Sequence, residues 1–275
     1  MDYLFFLFFI FLTGLVIGSF LGAYTYRAPL SKTIKRGRSF CPKCKKKIIW
    51  YDNIPLLSFL LLKGKCRNCQ QNISLRYPLI ELSTGIMFFL IAYFLGNCAV
   101  GPKSNNLCHF YGILGAQALP FLLLITSFFI VILVVDFENK IILDENIFLL
   151  FVIAFVVFLL SSTPTLGLRL FSAFASALFL LTIHLITKGK GMGLGDVKLA
   201  VIAGLILNIP NIIIWLYLSF ILGAVIGIFL IVIKKARFGR QIPFAPFLVS
   251  SFFITLLWGD KLGKLFFPFL TLFDK

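Results

Sequence analysis

The sequence predicts an all-α polytopic membrane protein with about eight transmembrane helices and a small cytoplasmic zinc-binding segment between helices 1 and 2. Three observations carry that expectation. Of the 275 residues, 60% are hydrophobic and 13% charged, with a mean hydropathy of +1.02. Soluble domains run nearer half apolar and carry about twice this charge. Apolar runs near ~20 residues, the length a bilayer core demands, recur along the chain. Between the first two runs lies a basic stretch holding two Cys-x-x-Cys pairs.

The runs lie near 3–25, 78–96, 113–135, 145–161, 167–187, 197–209, 211–233 and 243–259. The first has only Met1-Asp2 before it, its basic residues follow rather than precede it, and no convincing small-residue cleavage site comes before Arg27. An uncleaved helix with its N-terminus outside is therefore expected rather than a signal peptide. The sixth run is short. It must begin inside a glycine-rich elbow or be partly buried, and its boundary at Pro210 is the least defined. Segment 27–76 alone carries 13 of the 26 Lys and Arg residues. Adding Lys140, Lys188, Lys190, Lys198, Lys234, Lys235, Arg237 and Arg240 puts 21 on one side, against Lys103, Arg169, Lys261, Lys264 and Lys275 on the other. The positive-inside rule then places 27–76 in the cytoplasm and both termini outside. The net charge of +16 is explained by anionic headgroups, so membrane lipid is the expected partner and nucleic acid is not.

The domain organisation expected is a first helix at 1–26, a cytoplasmic zinc-binding segment at 27–77, and a seven-helix membrane domain at 78–275. In the segment, Cys41/Cys44 and Cys66/Cys69 are separated by 21 residues. Each pair can form a tight knuckle presenting two thiolates to one tetrahedral ion, and a polar segment this small gains most of its stability from such a knot. Lys43, Lys45, Lys46, Lys47 and Arg67 favour thiolates and offset the charge of a four-thiolate site. A reducing cytoplasm argues against stable disulfides there, and a redox pair is the weaker alternative. With four protein ligands the metal is structural. Cys98 and Cys108 flank an outer loop, where a disulfide and free thiols are equally open.

Ten acidic residues are present. Asp2, Asp260 and Asp274 lie at outer ends, and Asp52 belongs to the zinc segment. Glu81, Asp136, Glu138, Asp144, Glu145 and Asp196 fall at or just inside cytoplasmic ends of spans. Asp136 follows the run "FFIVILVV", and such a residue needs a wet cavity or a partner. Asp196 closes the elbow "KGKGMGLGD" (188–196). Were the two to meet across the bundle, one would keep a proton while the other accepts one, the arrangement with which aspartic proteases activate water. Gly191, Gly193 and Gly195 permit positive φ and close backbone approach, a way in for an extended peptide. Asp144 resembles a helix cap. His184 is expected to snorkel or pair with a neighbouring helix. For Asp136, ordinary solvation at a helix end is the plain alternative; for Asp196, a turn carboxylate.

These residues resemble those of bacterial prepilin peptidases, the type IV leader peptidases, which are membrane aspartic proteases of the Gly-x-Gly-Asp kind. The resemblance runs through "GSFLGAYTYR" at 18–27, the two Cys-x-x-Cys pairs around "WYDNIPLLSFLLLKGKCRNC", and "ISLRYPLIELSTG" at 73–85. It continues through "DFENKIILDE" at 136–145, "GMGLGDVKL" at 191–199 and "QIPFAPFL" at 241–248. It implies that Asp136 and Asp196 are the catalytic pair, with Lys198 and Asp144 as support beside the elbow glycines. The implied substrate is the basic leader of a type IV prepilin or pseudopilin, cut after a glycine at the cytoplasmic face of the bacterial inner membrane. The family commonly adds N-methylation of the new terminal residue with S-adenosylmethionine, an activity associated with the zinc-bearing segment. Two positions depart from the family: Leu143 replaces a proline and is expected to loosen the loop after Asp136. Ala245 replaces a glycine and is expected to restrict a backbone approach. No glycine-rich dinucleotide-type loop marks where S-adenosylmethionine binds.

Two other functions fit parts of this pattern. A leader peptidase without methyl transfer keeps the aspartates and leaves zinc purely structural. A membrane transporter could use the same carboxylates as a proton relay, but it favours inverted repeats, and the chain has no such repetition.

Overall fold

The computed structural model describes residues 3–30, 40–41, 43–100, 106–160, 166–207, 209–233 and 243–266. Ten α-helices lie among them: α1 (Tyr3–Arg27), α2 (Leu57–Leu61), α3 (Arg76–Val100), α4 (Asn106–Leu114), α5 (Ala118–Asn139), α6 (Asp144–Leu160), α7 (Leu166–Ile186), α8 (Leu194–Leu207), α9 (Asn211–Val232) and α10 (Ala245–Phe266). The described residues contain no named strand, only isolated bridges in the cysteine segment. Each of the eight expected spans falls on a helix, α1, α3 and α5 to α10.

Among the described residues, five stretches are long and apolar enough to cross a membrane: Tyr3–Arg27, Arg76–Cys98, Gly112–Asn139, Leu166–Ile186 and Asn211–Val232. The chain is thus a multi-pass membrane protein. The other three spans are less regular. α6 has 17 residues and α8 has 14, while α10 carries Asp260, Lys261 and Lys264 near its end. The expected boundary at 161, the basic run 234–240 and Gln241-Ile242 lie outside the described residues. One boundary differs usefully from expectation. α5 continues beyond Val135 to Asn139, so Asp136 sits in the last helical turn. That turn is closed by Lys140, which takes a left-handed conformation and donates its backbone N–H to the Asp136 carbonyl at 2.8 Å.

The chain divides into two compact units, Met1–Gly96 with Leu119–Val131, and Asn97–Ala118 with Ile132–Lys275. In the first, α1 and α3 run antiparallel in close contact. A Cβ on Gly14 would lie 2.8 Å from the Gly85 Cα, and one on Gly18 would lie 2.7 Å from the Glu81 Cα. Glycines spaced four apart on one helix face let two backbones approach where apolar burial gives no driving force between helices. Leu4, Phe8, Val16 and Phe20 remain exposed on α1, as a lipid-facing surface requires.

The second unit is built around α8, which packs against α6, α7, α9 and α10. From Leu199 to Leu207 nearly every residue of α8 is buried, as expected of a helix apolar on all sides. α7 presents small residues to it. The Ser172 hydroxyl donates to the Gly204 carbonyl at 2.6 Å, and Ser176 donates to the Ala200 carbonyl at 3.1 Å. The far end of α8 is capped by a buried cation. Arg169 Nη1 donates to the Leu205 and Ile206 carbonyls at 3.1 and 3.0 Å, and its guanidinium lies 4.2 Å from the Phe158 ring centre. A cation at carbonyls without helical partners offsets both the open hydrogen bonds and the helix dipole. α9 and α10 are joined by Trp215, whose indole N–H donates to the Leu248 carbonyl at 2.8 Å, and by a Ser219–Ser251 hydroxyl contact. Cys98 and Cys108 form a disulfide across 10 residues, which resolves the alternative that the sequence leaves open.

A Cβ on Gly204 would lie 2.5 Å from the Ala173 Cα, so Gly204→Leu must force α7 and α8 apart. The variant should lose at least ~1–3 kcal/mol of stability, seen as a lower unfolding midpoint of the purified protein. Gly167→Ala, which meets open space, should leave that midpoint unchanged.

Candidate functional site

The cysteine segment is two copies of one local construction. Phe40 bridges Lys47, and Lys65 bridges Asn72, so each Cys-x-x-Cys pair sits at the tip of a short antiparallel turn. The Cys41 N–H donates to Lys46 at 3.0 Å and the Cys66 N–H to Gln71 at 2.8 Å. The residue after each second cysteine, Lys45 or Gln70, has φ 56° and returns its N–H to the first cysteine's carbonyl. The two tips bring Cys41, Cys44, Cys66 and Cys69 together, with all four sulfurs within 4.8 Å of one another.

The Cys41 and Cys69 sulfurs are 3.9 Å apart. Metal–sulfur bonds of about 2.3 Å in a tetrahedron place sulfurs about 3.8 Å apart, so the cluster fits a structural zinc. Backbone N–H groups of Cys69 and Asn68 lower the Cys66 thiol to about 7. Cys69, despite the Gln71 N–H that favours its thiolate, is pushed up to about 11 by burial and the neighbouring thiols, so a full set of four thiolates needs the charge of a metal. Asp52 pairs with Arg67 through bonds of 2.7 and 2.9 Å, and the Arg67 guanidinium lies over Tyr51. Asp52 and Arg67 are thereby committed to each other beside the thiols.

The two singled-out aspartates both belong to the second unit, and each is about 6% exposed. Asp196 is the third residue of α8. Its Oδ2 accepts the Gly193 N–H at 3.1 Å, as a carboxylate in the first turn reaches back to the residue that starts the helix. Asp136 accepts the N–H of Ala245, the first residue of α10. Each carboxylate therefore sits at a helix N-terminus, where unpaired N–H groups and the helix dipole favour an anion. Asp136 lies close enough to act electrostatically on Asp196. The Asp136 Oδ2 is buried without a hydrogen-bond partner among the described residues.

The elbow is shaped differently from expectation. Positive φ falls at Lys188 and Gly189, not at Gly191, Gly193 or Gly195. Close approach is real at Gly195, where a Cβ would lie 2.9 Å from the Ile142 side chain, and Gly193 supplies the donor to Asp196. The Gly191 N–H is taken by Thr187 Oγ1 at 3.2 Å. Asp144 is the first residue of α6, not its cap, because the Leu143 carbonyl accepts the N–H groups of Asn146 and Ile147. Its carboxylate instead accepts Lys198 Nζ at 2.6 Å. This exposed pair joins α6 to the turn after Asp196 and adds little energy by itself.

Three contributors were not singled out from the sequence as parts of the site. His184 holds the elbow, its Nδ1–H donating to the Met192 carbonyl at 2.7 Å. Ile142 fills the space beside Gly195. Ala245 contributes a backbone N–H, which no side-chain pattern announces; as alanine it is accommodated with no exposure, and its position leaves the donor in reach of Asp136.

Metal analysis of the purified chain should find about one zinc per molecule, as a four-thiolate site holds. Cys66→Ser should lower that content and make the 40–75 segment readily cleaved by added protease. Unchanged metal content in Cys66→Ser would contradict a four-thiolate site.

Comparison with known proteins gives two family matches. Residues 12–95 match the bacterial peptidase A24 N-terminal domain, and residues 122–228 match the type IV leader peptidase family. The prepilin leader peptidase/N-methyltransferase of Aeromonas salmonicida is 32% identical over 93% of this chain and 91% of its own length. The protein of the same description from Bacillus subtilis is 31% identical over 92% and 94%. That of Myxococcus xanthus is 53% identical over 30% of this chain and 24% of its own. No solved structure matches significantly. With two matching family models and full-length relatives of this similarity, the chain belongs to the type IV leader peptidase family.

Proposed function

We propose that this protein removes the basic leader of type IV prepilins or pseudopilins and then N-methylates the new terminus, using S-adenosylmethionine. The observation that carries the peptidase half is the buried, unpartnered Oδ2 of Asp136 within electrostatic reach of Asp196. An unpaired buried carboxylate oxygen is costly, and a water or a peptide carbonyl at that point would satisfy it.

In this reading Asp136 and Asp196 share one proton, since like charges at close range do not both ionise cheaply. The unprotonated partner takes a proton from water as the water oxygen bonds to the scissile carbonyl carbon. The protonated partner gives its proton to the carbonyl oxygen. Collapse of the tetrahedral species breaks the C–N bond, and a proton passes to the departing amine, restoring the pair. The donors from Gly193 and Ala245 hold the two carboxylates in register throughout. Gly191 and Gly193 are exposed and leave room for an extended substrate backbone near Asp196. Lys198 and Asp144 act at one remove, by fixing the start of α6 against α8.

Zinc would be held by Cys41, Cys44, Cys66 and Cys69, where it supplies a structural crosslink. The chain is assigned to the bacterial inner membrane with the aspartates facing the cytoplasm and the N-terminus outside. That orientation rests on the positive-inside expectation, under which 21 of the 26 Lys and Arg residues are expected on the cytoplasmic face, and the Cys98–Cys108 disulfide suits an oxidising face. Segment 27–77 is assigned to methyl transfer and 78–275 to proteolysis.

Co-expression with a prepilin, followed by mass analysis of the pilin N-terminus, reads both reactions. Asp136→Asn and Asp196→Asn should each cut leader cleavage by at least ~10²–10⁴-fold while the enzyme still accumulates in the membrane. Efficient processing by either variant would exclude the pair. A cleaved but unmethylated terminus from the wild type, with methyl donor present, would leave a peptidase alone.

A further inference from the structure

The first unit contains a cavity of about 430 Å³, within the ~300–1,000 Å³ usual for small-molecule sites. Its wall includes Ser19, Ala23 and Tyr26 from α1, Tyr77 and Glu81 from α3, and the thiol segment on the remaining side. Nothing in the peptidase chemistry uses it.

Glu81 gives the cavity its chemical character. The side chain belongs to a residue about 8% exposed, placed one turn into a membrane-length helix. Its Oε2 accepts the Leu56 N–H at 2.9 Å, and the Ser19 hydroxyl bonds to the same carboxylate. Leu56 has φ 57° and ψ −46°, an unfavourable conformation for a leucine. Backbone held in such a region over a polar contact is a recurrent property of binding sites. The Gly18 contact with Glu81 described above brings α1 onto α3 at this level, so Ser19 reaches the carboxylate.

The remaining wall is aromatic and basic. The Arg76 guanidinium spans Tyr26 and Tyr77, 5.8 and 5.5 Å from their ring centres. It is fixed by bonds to the Gly22 carbonyl at 3.0 Å and to Thr25 Oγ1 at 2.7 Å. Lys46 and Lys47 stand on the thiol-segment side, while Asp52, the other acidic wall residue, is committed to Arg67. The ligand chemistry that suits such a wall is a small molecule with a cationic centre, a flat ring and a carboxylate of its own.

Resting on the methyltransferase half of the proposed function, we infer that this cavity binds S-adenosylmethionine, with Glu81 as the residue that meets its sulfonium centre. The aromatic wall accommodates the adenine, and the lysines favour the ligand carboxylate. In the transfer, an N–C bond forms between the pilin's neutral terminal amine and the methyl carbon as the S–C bond breaks. The bonding pair stays on sulfur, and the amine's surplus proton is lost to water.

The test is equilibrium binding of S-adenosylmethionine and of S-adenosylhomocysteine, which lacks the sulfonium charge, to the full-length enzyme in lipid discs. Leader cleavage is followed in parallel. Glu81→Gln should weaken S-adenosylmethionine at least ~10-fold, the scale of one lost charge-assisted contact, and weaken S-adenosylhomocysteine far less. Ala23→Phe, which fills the cavity without removing a polar group, should weaken both. Cleavage should persist in each variant. Unchanged binding of both ligands by both variants overturns the assignment and leaves methyl transfer standing. A wild type that neither binds the donor nor methylates overturns both.

Discussion

A buried carboxylate must be met by donors, and inside an apolar bundle the ready donors are backbone N–H groups at helix starts. That constraint organises the second unit. Asp196 can be buried because α8 begins two residues before it, and Asp136 because α10 begins at Ala245. Starting α8 within reach of the bundle interior makes it short, 14 residues. Its opposite end then also needs partners, and Arg169 supplies them. The small residues of α7 follow from the same demand, since a helix buried on all sides needs neighbours that allow close backbone approach.

The first unit answers a different problem. A polar segment too small for a core of its own is fixed internally by four thiols and externally by Glu81, which accepts the N–H of Leu56. The carboxylate that receives the segment stands on α3, and α1 meets α3 at the same height through Gly18. Knot, helix pair and cavity are therefore one construction. The exposed basic side chains around it suit a site that works beside anionic lipid headgroups.

Much of this was legible in the sequence because its signals are local or periodic. Each of the eight apolar runs fell on a helix, five of them on stretches long and apolar enough to cross a membrane, and Cys-x-x-Cys spacing alone indicated the thiol cluster. Boundaries were less visible. Asp136 reads as the end of an apolar run, yet the helix continues one turn further, because Lys140 can take a left-handed cap that no hydropathy window detects. The elbow glycines invite an expectation of positive φ, but backbone geometry placed it at Lys188 and Gly189. What the site needs from Gly193 and Ala245 is a backbone N–H, which residue identity does not encode. Gly14 and Gly18, spaced four apart, are a readable sign of the α1–α3 backbone contact, although hydropathy alone does not mark it. Whether Cys98 pairs with Cys108 depended on distance across a loop, which sequence cannot supply.

The central claim is that Asp136 and Asp196 act as one unit on one bond. A double-mutant cycle in kcat/KM for leader cleavage tests it most directly, comparing Asp136→Asn, Asp196→Asn and the combined variant. Residues that work only together lose nearly everything with the first substitution, so the combined variant should match the worse single variant within about threefold. Losses that multiply, each aspartate contributing independently of the other, would contradict the account.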